Sequence, residues 1–166
     1  MSGLIRNLFT LIWAFFARGQ FDAYSRVICH FFIMPLDCGF NVLKSDKYLQ
    51  LAEAAQLDFL IKTKLIGKLL SHSIHFVNAS QLVKFMKPVK VFTCVRIETS
   101  IIYADEKCAY FSHSLFVQDR QHGEVLVKMK FKKVAVTVSP AKIADKLPSL
   151  KPEHLKVWDE TLEAMP

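Results

Sequence analysis

The segment from Tyr48 to Ile61 constrains the fold most, because it is apolar on nearly every side of a helical wheel. A helix that is hydrophobic all round is stable only when other elements bury it on all sides. In a chain of 166 residues, those elements are expected to come from the same domain. The rest of the chain should therefore wrap around this helix. Its polar residues are Gln50, Glu53, Gln56 and Asp58.

The regions on both sides of this helix have the composition and periodicity of β-strands. The alternation that begins at Val125 slips at Lys132-Lys133, which predicts a bulge or a sharp bend. One strand before the helix and about four after it predict an α+β fold, with a long curved antiparallel sheet around one central helix. The predicted strands are Arg26–Leu36, His72–Met86, Val89–Ile101, Cys108–Gln118 and Val125–Val138.

The composition bounds the class of protein. A hydrophobic fraction of 52% excludes a disordered chain, and a formal charge of +7 favours an anionic partner: nucleic acid, a membrane surface or a phosphorylated small molecule. The four cysteines form no C-x-x-C pair, so free thiols are favoured over two disulfides, and no metal site is predicted. Motifs of α/β-hydrolases, P-loops and dinucleotide-binding folds are absent from the sequence.

The segment Leu8–Ala17 is almost entirely apolar and lies between Arg6 and Arg18. It is too short to span a bilayer, and no cleavage site of a secretory signal follows it. Three interpretations stay open: a helix packed on the domain or in a dimer, an interfacial membrane helix, or an uncleaved anchor. The predicted organisation is an N-terminal apolar helix over residues 1–24, a main domain over 25–140, and a tail over 141–166 with a short helix.

Separated motifs of the chain resemble those of one family. The chain resembles the 4-hydroxybenzoyl-CoA thioesterase-like branch of the hotdog superfamily, whose first loop runs P-T-D-L-D…H-M-N-N-G-R-Y-L. The resemblance implies the hotdog fold, hydrolysis of an acyl-CoA thioester to free acid and coenzyme A, no cofactor, and a homodimer or tetramer. The matching stretches are Pro35–Gly39, Lys47–Leu49, Leu57–Thr63, Phe85–Val89 and Ala104–His113.

The loop before the helix departs from the family pattern. Asp37 matches the first acid of D-x-D, but Gly39 stands at or beside the place of the second. The stretch Val42–Ser45 replaces H-M-N-N, with one residue deleted. A second function is therefore kept open, that of a non-catalytic protein that binds acyl-CoA or lipid.

Three carboxylates are candidates for the catalytic group. Asp37 follows an apolar strand and precedes the helix, where burial could tune its pKa; the alternative is a loop or capping aspartate. Asp46 is the second candidate, although it also suits the first turn of a helix. Glu53 is the third, because some hotdog enzymes place their acid on the central helix and use it across a dimer interface. The predicted substrate-binding residues near the helix are Gly39, Phe40, Asn41, Ser45 and Tyr48.

Lys128, Lys130 and Lys132 share one face of a predicted strand. They are predicted to bind the phosphates of coenzyme A or an anionic lipid; the alternative is a solvated outer face. No module that reads nucleic acid accompanies the charge, so nucleic acid is not predicted as a partner. The expected location is the cytoplasm, with peripheral membrane contact through the N-terminal helix as an added alternative.

Overall fold

The computed structural model describes residues 21–144 and 147–166. The segment Leu8–Ala17 and most of the predicted N-terminal helix lie outside the described residues, so their prediction stays open. Within the described residues, no helix is both long enough and apolar enough to cross a membrane.

One long helix, α1 (Ser45–Lys62), lies at the centre of the molecule, as the sequence predicts. Leu51, Ala55 and Phe59 are fully buried on it, in one core shared with the sheet. Lys64 interrupts the helix with a left-handed backbone, and a second helix, α2 (Leu65–Ser71), follows directly. The sequence does not predict α2, since the predicted helix ends near Ile61 and the next predicted strand begins at His72.

Six strands form one antiparallel sheet in the order β1-β5-β6-β7-β4, with β8 paired to the end of β7. A separate hairpin, β2–β3, lies in the loop before α1. The predicted strand–helix–strands order is confirmed. The bounds are β1 Val27–Phe32, β2 Cys38–Gly39, β3 Val42–Leu43, β4 His75–Phe85, β5 Cys94–Ala104, β6 Cys108–Val117, β7 Arg120–Lys133 and β8 Val136–Val138.

Two predicted strands are shorter than the alternation suggested. β1 ends at Phe32 and a 3-10 turn, Pro35–Asp37, follows, since the ring of Pro35 suits the start of a helical turn. β5 begins at Cys94 and not at Val89, because Phe92 has a φ of 60° and breaks the extended backbone. The slip at Lys132-Lys133 is a tight turn in which Val134 has a φ of 57°.

The C-terminal helix, α3 (Glu153–Glu163), packs on the convex face of the sheet, opposite α1. Leu155 and Trp158 are buried there against Tyr110 and Leu126. Asp159 accepts hydrogen bonds from Tyr110 Oη at 2.5 Å, Lys151 Nζ at 2.6 Å and Lys128 Nζ at 2.8 Å. The helix is therefore fixed to the sheet by an apolar contact and by a three-donor polar cluster.

Candidate functional site

Asp37 lies directly beside the beginning of α1. Its backbone oxygen accepts the N–H of Lys44 at 3.0 Å, and Lys44 is the N-cap residue of the helix. The carboxyl is only 1% exposed, and its Oδ2 accepts the N–H of Met34 at 3.1 Å. The loop thus places a buried acidic residue next to the beginning of the central helix, the end that carries a partial positive charge.

The first turn of α1 offers backbone donors. The N-cap residue is Lys44, and its side chain makes no capping hydrogen bond to the helix. The first N–H groups of a helix have no partner within it. They are therefore suited to a carbonyl oxygen or an anion that approaches from the loop side.

The hairpin β2–β3 carries the other predicted loop residues. Gly39 ends β2, and Phe40 and Asn41 form the two-residue turn before β3. The ring of Phe40 is fully exposed, and the side chain of Lys44 lies over Gly39. The hairpin brings these residues near the start of α1.

A cleft of about 310 Å³ opens at the beginning of α1. We call it the front cleft. Ser45 and Tyr48 reach it from α1, so two of the predicted substrate-binding residues lie together at this site. Its lining is mainly apolar and suits an acyl chain. The lining residues are Val42, Leu43, Ser45, Tyr48, Phe85, Met86, Lys87 and Pro88.

Tyr48 is held firmly in the wall of the front cleft. Its ring packs edge-on against Phe85, with 4.9 Å between centroids, and burial raises the pKa of its hydroxyl. A Cβ at Gly123 would lie 3.0 Å from Cε1 of Tyr48 and 3.2 Å from the backbone oxygen of Lys84. The close approach of β7 to the ring therefore requires glycine at this position.

The other two carboxylate candidates are not beside Asp37. Asp46 is exposed in the first turn of α1, 3.5 Å from the side-chain amide of Gln50. Glu53 is exposed about 12 Å further along the helix, eight residues after Ser45. A single chain therefore brings Asp37 and Asp46 to one end of α1 and leaves Glu53 apart.

Glu53 lines a second cleft, the side cleft, of about 380 Å³, together with Gln56, Leu57, Phe76 and Asn78. Gln56 is buried and donates a hydrogen bond from Nε2 to Oδ1 of Asn78 at 3.1 Å. The Oε1 atom of Gln56 is buried without a partner. The side cleft lies between α1 and the edge strand β4, where a ligand or a second chain could supply the missing donor.

The predicted lysine face lies on the other side of the sheet from both clefts. Lys130 is paired with Cys108, which packs on the convex face, whereas the intervening Met129 and Phe131 belong to the core around α1. Lys128 is bound to Asp159 of α3, and its ammonium lies 5.5 Å from the ring centre of Tyr110. That Lys128, Lys130 and Lys132 bind the phosphates of coenzyme A stays a prediction.

Two polar groups on α1 have partners that the sequence does not reveal. Gln56 was visible as a polar residue on an apolar helix, but its partner Asn78 comes from a strand 22 residues further on. Asp58 is buried and paired with Lys62 at 2.7 Å, one helical turn away. Burial raises the pKa of Asp58, and the Lys62 ammonium opposes that shift. Among residues 21–144 and 147–166, no cluster of His, Cys, Asp or Glu is placed to hold a metal ion.

Comparison with solved structures identifies the architecture. The chain is similar to a probable thioesterase from Bartonella henselae, with a TM-score of 0.63 and 15% identity over 69% of this chain and 98% of that one. It is also similar to a gentisyl-coenzyme A thioesterase, with a TM-score of 0.59 and 21% identity over 70% of this chain and 95% of that one.

A third similar structure is a hypothetical protein from Staphylococcus aureus in complex with CoA, with a TM-score of 0.64 and 10% identity over 80% of this chain and 92% of that one. No protein-family model matches the chain, and no curated protein matches it either. At these identities the likeness establishes the fold. The chain has the hotdog fold, an α+β architecture, as the sequence predicted.

Proposed function

We propose that this protein is an acyl-CoA thioesterase of the 4-hydroxybenzoyl-CoA thioesterase-like branch, which hydrolyses a fatty or aromatic acyl-CoA to the free acid and coenzyme A. The observation that carries the proposal is the buried Asp37, whose backbone oxygen accepts the N–H of Lys44 at the beginning of α1, the helix end at which the apolar front cleft opens. The loop and helix motifs resemble those of the branch, and similar structures include named thioesterases.

The proposed chemistry needs one base and one oxyanion donor. Asp37 accepts a proton from water, whose oxygen attacks the thioester carbonyl. The N–H groups of the first turn of α1 stabilise the negative charge that develops on the carbonyl oxygen. The carbon–sulfur bond then breaks, and the proton held by Asp37 passes to the departing thiolate. The apolar walls of the front cleft hold the acyl group.

A second chain would complete the site. The edge strand β4 exposes a long row of backbone groups, and such edges are normally paired or covered. A homodimer formed through β4 would also cover the side cleft and give the Oε1 atom of Gln56 a neighbour. We therefore propose a homodimer, in which Glu53 of one protomer is the alternative acid for the front cleft of its partner.

The second candidate function is binding of acyl-CoA or lipid without hydrolysis. The observation that favours it is that Asp37 already accepts the N–H of Met34 and does not line the front cleft. A carboxylate oxygen has more than one acceptor position, so the contact with Met34 does not by itself disqualify Asp37 as a base. All four cysteines are free thiols, which supports a cytoplasmic location.

The decisive experiment measures thiol release from acyl-CoAs of varied chain length. We expect release from at least one substrate, and we expect Asp37→Asn to lower kcat by about a hundredfold or more, as is usual for loss of a general base. Glu106→Gln, in the exposed turn between β5 and β6, is the control.

The outcomes separate the alternatives. Retained activity in Asp37→Asn with loss in Glu53→Gln would move the catalytic role to the helix glutamate. No release from any substrate, together with measurable binding of the same acyl-CoAs by calorimetry, would establish the binding function instead.

A further inference from the structure

One end of the molecule, beside the front cleft, exposes a cluster of large apolar side chains. We call this cluster the apolar rim. Phe40 is fully exposed and Leu36 is 77% exposed, values that are unusual for such side chains in a protein with a well-formed core. The rim consists of Phe32, Met34, Leu36, Phe40 and Phe92.

Backbone hydrogen bonds hold together the segments that carry the apolar rim. The N–H of Phe92 donates to the oxygen of Ile33 at 2.9 Å, and the rings of Phe32 and Phe92 lie 6.4 Å apart. The N–H of Val91 donates to the oxygen of Asn41 at 3.0 Å, which fixes the hairpin turn beside the same segment. Three separate segments of the chain thus present their apolar side chains at one end.

Two residues of the apolar rim have a strained backbone although their side chains are exposed. Phe40 has a φ of 47° and Phe92 a φ of 60°, in the left-handed region where Gly or Asn is normal. A tight hairpin turn ordinarily carries Gly at the position of Phe40. Val134 and Gln118 share this left-handed backbone, but among the described residues only Phe40 and Phe92 combine it with an aromatic side chain, and both rings are exposed.

The charges around the apolar rim are mainly basic. Lys44 follows the hairpin, and Lys90 pairs with Val42 of β3. Lys87 is exposed at the front cleft, and the nearest exposed acid on these segments is Asp46. Exposed aromatic and aliphatic side chains with lysines around them suit the boundary between the headgroups and the acyl chains of an anionic bilayer.

We propose that the apolar rim docks the protein on an anionic phospholipid surface, with the rings of Phe40 and Phe92 inserted at the headgroup boundary. The contact uses residues of the main domain and goes beyond the proposed thioesterase activity, since it needs no turnover. Val42 lies on the same hairpin and lines the front cleft. Docking therefore brings the mouth of the cleft to the lipid surface, where long-chain amphiphiles accumulate.

The test is co-sedimentation of the full chain with vesicles, in the absence of any thioester. The vesicles are phosphatidylcholine alone and phosphatidylcholine mixed with phosphatidylserine. The variant is Phe40→Asn/Phe92→Asn, because Asn accepts the left-handed backbone and removes only the apolar ring. The matched control is Val134→Asn. Val134 is also exposed and has a left-handed backbone, but it follows the C-terminal end of β7, away from the apolar rim.

We expect the wild-type chain to prefer the mixed vesicles, and the double variant to lower the partition coefficient by about tenfold, as expected for loss of two partly inserted rings. Val134→Asn should bind like the wild type. Equal binding by the double variant, or no binding of the wild type to either vesicle, would overturn the proposal.

Two other occupants of the apolar rim give different results without vesicles. If a second copy of the chain covers it, the double variant lowers the mass measured by analytical ultracentrifugation. If residues 1–20 cover it, the double variant speeds proteolysis within those residues. Either result would also overturn the proposal. Circular dichroism melting of each variant verifies that the fold is retained.

Discussion

At the scale of single residues, the contact between Gly123 and Tyr48 sets the shape of the front cleft. Gly123→Ala should lower the free energy of unfolding by about 1–3 kcal/mol, because the new methyl group would press on the ring and on the backbone of Lys84. Urea denaturation measures this change.

The matched control is Gly67→Ala on α2. A Cβ at Gly67 meets no atom within 4 Å, and alanine favours a helix by up to about 1 kcal/mol over glycine. The two variants should therefore shift stability in opposite directions. A Gly123→Ala protein as stable as the wild type would contradict the tight approach of β7 to Tyr48.

Residue positions were predictable from the sequence only where local context decides them. Asp37 was expected to be at least partly buried, because it sits between an apolar strand and a buried helix, and the structure buries it. The strained turns at Phe40 and Phe92 could not be predicted, since nothing in either side chain favours a positive φ. His113 lies on the predicted strand Cys108–Gln118, and nothing in the strand pattern shows how deeply it is buried. It is fully buried, pairs with Thr99 at 3.0 Å, and burial lowers its pKa to about 3.

At the scale of elements, α3 depends on Asp159. Asp159→Asn should lower the free energy of unfolding by about 2 kcal/mol, because two ammonium groups and the buried hydroxyl of Tyr110 lose a charged acceptor. Fluorescence of Trp158 reports on α3 directly in a Trp13→Phe background, where it is the sole tryptophan. Glu153→Gln, on the exposed side of the same helix, should have no measurable effect.

The same hydrogen-bonded cluster around Asp159 makes the free energy of unfolding depend on pH. Burial would raise the pKa of Asp159, but the hydrogen bonds from Lys128, Lys151 and Tyr110 outweigh it and hold the pKa below its ordinary value of 3.8. The contribution of this carboxylate is therefore complete above pH 3.8 and is lost as the pH falls below that value. Asp159→Asn should remove this part of the dependence of the free energy of unfolding on pH. If the variant loses stability in acid to the same extent as the wild type, Asp159 does not have this role.

Elements with strong periodicity were predictable, and short ones were not. The apolar stretch around Leu51 and Phe59 fixed the position of α1, because a helix buried on all sides leaves few other interpretations. The seven residues of α2 carry no cap signal, and Lys64 begins them with a left-handed backbone. The hairpin β2–β3 has two residues in each strand, too few for an alternation to appear.

At the scale of the whole molecule, the open edge of β4 predicts the assembly. Analytical ultracentrifugation should show a homodimer. Ala79→Lys, at the bulge in the middle of β4, should raise its dissociation constant by about tenfold, because the two-fold axis would bring like charges together.

The control places the same side chain on the opposite edge of the sheet. His30→Lys, exposed on β1, should leave the dissociation constant unchanged. If the β1 variant dissociates the protein and the β4 variant does not, the dimer forms through the other edge.

The cover that α3 places over the convex face limits how the molecule can grow. Tyr110 and Leu126 would otherwise be a flat apolar area on the back of the sheet, free to meet the same area of another dimer. With Trp158 and Leu155 seated on them, two sheets cannot stack back to back there without first peeling away the helix. The helix α3 therefore covers this part of the sheet, so contacts between copies of the chain must use other surfaces.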